Sequence, residues 1–440
     1  MGQWVPRARL VAICLTLAVA AGCESGRDLS TATTAAPSGG TAAPSGSATA
    51  RPPEGYLDDA MDLIRRNAYY ADRVDWPAAR VEARRRAGAT GQGAHDAIRW
   101  VLSELGDGHS FLLTQEEVRA VEAGSALSFG LTALSPERVV VDVEPGGAAE
   151  RAGARVGDVV ESVDGRPVQG DGTVRLPAPG AGGRPARTVL GLRRGRGDRA
   201  RQLRVAIEAA GMSAVRPPAV RRLSGGVAAL ELFGVSTAEG REAFRYLEAA
   251  HDGIRRVAGR RTCGWVVDLR RDTGGSVPPM LVAVGPVLGD GRAVGYRDKN
   301  GATTWYGYAD GAFSVDGQPQ SSLAASRPAR LPRPAPPVAV LTSRLTASAG
   351  EAVVMAFRGR PGARSFGEAT AGVPTGNAQH RLADGAELYL TDAIGVDRTG
   401  RAHQTRIRPD QPVATDWTRY GTAADPVLRA ATTWLDAHCP

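Results

Sequence analysis

Apolar positions recur with three different rhythms along this chain. From Tyr56 to about Val118 the spacing is helical. "YLDDAMDLIRRNAYY" places Leu57, Met61, Leu63, Ile64 and Ala68 on one broad face, and "AHDAIRWVLSEL" repeats the pattern with Ala97, Ile98, Val101, Leu102 and Leu105. The second of these helices stops at "GDG", a turn signal, and His109 follows at once. From about Leu127 to Ile207 the rhythm shortens. "VVVDV" predicts a strand, and "EPGGAAERAGARVGDVVESVDGRPV" predicts a turn, a short helix, a second strand and a glycine turn. From about Val220 onward, "GGVAALEL", "CGWVVDL" and "PPVAVLTS" predict buried strands, and "EGREAFRYLEAAHDGIRRV" between the first two predicts an amphipathic helix. "AELYLTDAI" alternates and predicts a half-exposed strand. Strands alternating with helices predict an α/β core with a mixed sheet.

The boundaries expected are an N-terminal helical segment over 55–120, a β-rich domain over 121–210 and the α/β core over 211–440. Ahead of them, "MGQWVPRARLVAICLTLAVAAGCES" has basic residues, then an apolar run short for a membrane span, then small residues. Its "AAGC" resembles the lipobox of bacterial lipoproteins. That resemblance implies a signal peptide over 1–22, lipidation at Cys23, and a protein outside the cytoplasm anchored to the cell membrane. The Ser/Thr/Ala/Gly/Pro tract over 23–54 has too little apolar surface to fold and predicts a disordered tether. Beyond Cys14 and Cys23, only Cys263 and Cys439 remain, free or bridged in an oxidising compartment.

Charge narrows the partners. The formal net charge of +8 comes almost wholly from arginine, scattered and without aromatic interleaving, so no nucleic-acid footprint is expected. No His/Cys cluster has metal-ligand spacing, and neither a metal nor an organic cofactor is expected.

Three stretches carry candidate chemistry: "DLRRDTGGS" at 268–276, "TASAGE" at 346–351 and "FGEATAG" at 366–372. In the second, an apolar run turns abruptly into small residues and then a helix. Ser348 at that bend is a candidate nucleophile, because the first N–H groups of the helix point toward developing negative charge. A serine hydroxyl needs a base. The chain has one lysine, Lys299, and six histidines. The histidines are the candidates for that base, His109 in "LGDGHSF" and His403 among them.

These motifs, in this order, resemble the C-terminal processing (tail-specific) serine peptidases and their tricorn-like relatives. The family's first motif runs Asp-Leu-Arg-x-Asn-Pro-Gly-Gly. The resemblance implies a ClpP/crotonase-like core, Ser348 as nucleophile, and an oxyanion hole from Ala349 and the Gly274–Gly275 pair. The lysine of the tail-specific branch aligns with Val373, so a serine–lysine mechanism is excluded. Asn377 falls where that branch carries glutamine. The tricorn-like branch uses a histidine ahead of the central domain, which implies His109. That branch's late acidic residue is missing, since "TRIRPDQ" carries Arg406 and Arg408 there. Asp397, Gln404, Asp410, Ser110 and Asp107 are the candidates for orienting His109. Glu351 and Glu368 are expected to be structural.

"GGAAERAG" followed by "VGDVVESVDGRPV" resembles a PDZ domain. By that resemblance the backbone of Phe129, Gly130 and Leu131 in "LSFGL" is the carboxylate-binding loop, where a peptide C-terminus adds as a strand. The function implied is an exported serine endopeptidase acting on peptide or protein substrates. The alternative is an inactive peptide- or hydrophobic-ligand-binding module on the same scaffold.

Overall fold

The structure, a computed structural model, describes residues 55–88, 91–122, 127–168, 174–177, 187–211 and 215–439. The expected signal peptide, Cys23 and tether lie outside the described residues. Tyr56–Asn67, Trp76–Ala87 and Gly91–Glu104 are helices that pack Met61, Ile64, Ile98 and Val101 against Leu388 and Leu390 of the last domain. The middle helix lies inside the span read as helical but has no stripe of large apolar side chains to mark it. Its buried stripe is alanine alone, Ala79, Ala83 and Ala87, and its start is fixed by Asp75, whose side chain accepts the Ala78 N–H.

The β-rich domain is an antiparallel sheet in the order 131–134, 139–143, 159–163, 187–194, 201–208. The short helix Ala148–Arg151 sits against its own core of Val140, Val160, Leu190, Leu192 and Ile207.

In the α/β core one sheet runs 219–222, 227–231, 264–268, 338–342, 363–367, 411–412, parallel after the first pair. A parallel sheet must be covered on both faces. Gly240–Val257, Val277–Leu288 and Ala349–Phe357 cover one face, and Pro426–Asp436 covers the other. Hence Gly264–Asp268 and Val338–Thr342 are buried at every position and read as continuous apolar runs.

A second, antiparallel sheet is built around Glu387–Asp397. Half-exposure was expected for this strand, but it is buried nearly throughout. Leu388 and Leu390 face the N-terminal helices, and Gly395 lies against Met355 of the Ala349–Phe357 helix. Its alternation separates two buried faces rather than a buried and a wet one.

This strand assembles the site. Phe111–Leu113 pairs with it, Phe111 opposite Tyr389, and Thr375–Arg381 pairs on its other edge, Gln379 opposite Tyr389. The chain just after His109 and the strand beginning at Thr375 therefore meet at one place.

Candidate active site

Ser348 stands between the buried strand Val338–Thr342 and the helix Ala349–Phe357, with φ 51° and ψ −116°. A residue with a Cβ holds that conformation only where its surroundings impose it. The restraint here is Glu351. Its buried carboxylate accepts the Ser348 N–H at 3.0 Å, the Gly372 N–H at 3.0 Å, the Val373 N–H at 2.9 Å and the Thr370 hydroxyl. Burial pushes the Glu351 carboxyl up, and those four donors work against the rise. Glu351 thus ties the Ser348 turn to the loop of 370–373.

His109 leaves the Gly91–Glu104 helix through a turn capped by Asp107, whose Oδ1 accepts the N–H groups of His109 and Ser110, each at 2.9 Å. Its carbonyl accepts the Asn377 side-chain N–H at 2.9 Å. So held, the imidazole places Nε2 3.0 Å from Ser348 Oγ. Burial pushes its pKa down to about 4, with the Asp107 charge opposing the fall. The ring is therefore neutral, and able to accept a proton, across the ordinary pH range.

None of the five residues considered for orienting His109 touches the ring. Asp397 holds the His403 ring at 2.8 Å and closes its own turn. Asp410 is engaged by Ser365 and Arg358, Gln404 meets the Tyr70 hydroxyl, and Ser110 donates to Asp107. The partner of Nδ1 is the Thr375 hydroxyl, 2.6 Å away. Assigning the proton to Nδ1 lets Thr375 accept it and leaves Nε2 free to accept from Ser348. A strand threonine carries no charge or cluster that marks it in sequence. Its one signal is its place two residues before Asn377, which itself fastens the His109 backbone.

The Gly274–Gly275 pair packs against the serine. Both have positive φ, and a Cβ on Gly274 would lie 2.8 Å from the Ser348 Cβ. The Gly274 N–H is already donated to Asp272 Oδ1 at 3.0 Å. The Gly274 carbonyl faces Gly234, so in a trans peptide the Gly275 N–H points away from Gly234. Gly275 and Ala349, the first residue of the helix, are the pair that offers N–H groups beside Ser348.

Elsewhere, Lys299 bonds the Arg66 carbonyl. Phe129 is buried in the core of its domain, the Gly130 N–H bonds Ser128 Oγ at 2.9 Å, and Leu131 pairs with Val143. Cys263 and Cys439 form a disulfide. Among the described residues no group of three His, Cys, Asp or Glu side chains is placed to hold a metal ion.

Residues 238–413 match peptidase family S41, and residues 139–176 match the PDZ domain. The nisin-resistance protein of Lactococcus lactis subsp. lactis is 32% identical over 148 residues, 33% of this chain and 45% of that protein. The chain thus spans less than half of that relative. The chloroplastic C-terminal processing peptidase of Tetradesmus obliquus is 27% identical over 348 residues, 72% of this chain and 68% of the other. Two solved structures share the fold. A lipoprotein from Streptococcus agalactiae has TM-score 0.56 at 20% identity, covering 88% of this chain and 98% of that one. The photosystem II D1 C-terminal processing protease has TM-score 0.51 at 21% identity, covering 82% and 92%.

Proposed function

We propose that this chain, whose residues 238–413 match peptidase family S41, is a serine-type endopeptidase working by acyl transfer. Ser348 attacks the scissile carbonyl, His109 takes the hydroxyl proton and returns it to the leaving amine, and water releases the acyl-enzyme. The Gly275 and Ala349 N–H groups stabilise the tetrahedral oxyanion. The observation carrying this reading is the 3.0 Å approach of His109 Nε2 to Ser348 Oγ, made across 239 residues of chain. A fluorophosphonate probe is expected to label the full chain at Ser348. Ser348→Ala abolishes labelling, and His109→Ala lowers peptide turnover by orders of magnitude. Wild-type turnover by His109→Ala overturns the couple.

Peptide or protein substrates are held by the PDZ domain through a free C-terminus. Export and a lipid anchor at Cys23 rest on the N-terminal sequence. Cys23→Ala is expected to move the protein from the membrane to the soluble fraction, and an unchanged membrane fraction excludes the anchor. That Nδ1 of His109 meets the Thr375 hydroxyl rather than a carboxylate favours one second reading, a non-catalytic binding protein on this scaffold. A wild type that resists the probe establishes it.

A further inference from the structure

Beneath the oxyanion loop lies a carboxyl group that the mechanism above does not use. Asp272 is fully buried between Leu269, whose carbonyl accepts its N–H, and the first turn of the Ala349–Phe357 helix. The approach is close: a Cβ on Gly350 would lie 3.1 Å from its carboxyl carbon and 2.9 Å from its carbonyl. That carbonyl accepts the Ala347 N–H at 3.1 Å, one residue before the nucleophile. Oδ1 accepts the Gly274 N–H, and Oδ2 is buried without a partner.

Among the described residues no cation offsets it. Arg270 is directed to Asp268 and Asp425, and Arg271 to Glu231 and Asp142. From the Gly240–Val257 helix, Tyr246 faces it but donates its hydroxyl to the Phe233 carbonyl. From the Ala349–Phe357 helix, Glu351 is turned to 370–373, and His109 lies beyond Ser348. An ionised carboxylate with an unpaired buried oxygen is far costlier than a neutral carboxyl in the same place.

We infer that Asp272 is the positioning residue of the oxyanion loop, and that its neutral form is the one competent for acyl transfer. Asp272 acts in two ways, both of which rest on the peptidase reading. By engaging the Gly274 N–H, Asp272 commits that group and turns the next peptide so that the Gly275 N–H points away from Gly234. Once ionised, it sets a buried negative charge behind the loop where the oxyanion's own charge develops, opposing the stabilisation those donors give. Burial pushes the carboxyl up to about 7, so the switch falls within the working range. Activity is then bounded by His109 at low pH and by Asp272 above neutrality.

The test is the second-order rate of fluorophosphonate labelling of the full chain, from acid pH to about pH 9, in wild type and Asp272→Asn. Asparagine keeps the acceptor for Gly274 and removes the titration. Wild-type labelling should fall above about pH 7, and Asp272→Asn should lose that falling limb. The variant should label about tenfold faster than wild type one pH unit above the midpoint and alike one unit below it. A falling limb retained by Asp272→Asn overturns the inference. So does a wild-type rate that is flat or rising to about pH 9, and this reading stands even if the variant fails to fold. No wild-type labelling at any pH overturns the peptidase reading and this inference together, whereas labelling without the falling limb overturns this inference alone.

Discussion

At the scale of single residues, Thr375 separates this site from one oriented by a carboxylate. A hydroxyl fixes the imidazole ring and its tautomer but brings no negative charge to offset the imidazolium formed during reaction. Thr375→Val removes the Nδ1 partner at nearly constant volume. About 1–3 kcal/mol of orientation is lost with it, so kcat is expected to fall roughly 10- to 100-fold with KM little changed. Thr375→Ser should retain most of the rate, and a Thr375→Val enzyme with wild-type kcat would refute the orienting role. The two shifted groups also act on stability, with opposite signs. His109 drops from 6.5 to about 4 on folding, so the unfolded chain binds more protons between those values. Its contribution is complete above about 6.5 and is lost as pH falls toward 4. Asp272 rises from 3.8 to about 7, so its contribution is complete below 3.8 and is lost as pH rises through 7. Asp272→Asn should therefore gain stability over wild type as pH climbs through that window, read as a growing difference in urea midpoint. A constant difference would refute the buried-charge account.

At the scale of elements, the Pro426–Asp436 helix shows how side chains that look incidental fasten a fold. Asp425 accepts the Val427 and Leu428 N–H groups at its start and pairs with Arg270, itself buried and shared with Asp268. The disulfide of Cys263 and Cys439 holds the other end. Asp425→Ala leaves a buried guanidinium half-compensated and should cost about 3–5 kcal/mol, measured by urea unfolding. A cost near that of a surface substitution would show that Asp268 alone suffices. The ion pair with Arg270 was not legible in sequence, because an aspartate before a proline announces a cap but not a partner 155 residues away. What was legible had a local cause. The Ser348 turn shows itself as an apolar run breaking into small residues, and the Gly240–Val257 helix as an amphipathic period. Where the cause was tertiary the reading failed: Glu387–Asp397 looked half-wet because its two covering layers come from opposite ends of the chain. The Trp76–Ala87 helix carried no mark of its own within the helical span, because alanine carries little apolar signal.

For the molecule as a whole, contacts of two kinds hold the PDZ domain against the α/β core. Charged contacts contribute. Asp142 on a PDZ strand pairs with Arg216 and with Arg271, and Arg271 immediately precedes Asp272. An apolar contact lies beside them. Trp417 of the core is buried among Leu134, Val139 and Val141 of the PDZ sheet, and its carbonyl approaches Gly157, where a Cβ would come within 2.9 Å. Partly exposed ion pairs are typically worth about 0–1 kcal/mol each, whereas truncating a buried tryptophan costs about 3–5 kcal/mol. The tryptophan is thus the principal fastener, and the ion pairs set orientation. Trp417→Ala should leave both domains folded, since the residue belongs to neither domain's main core. It should, however, free them from each other. Limited elastase digestion is then expected to cut between them, after Val215, several-fold faster than in wild type, releasing a core fragment that keeps its 219–222 strand. Digestion at the wild-type rate would mean that the charged contacts hold the domains without it. In that case Asp142→Ala should accelerate the same cut.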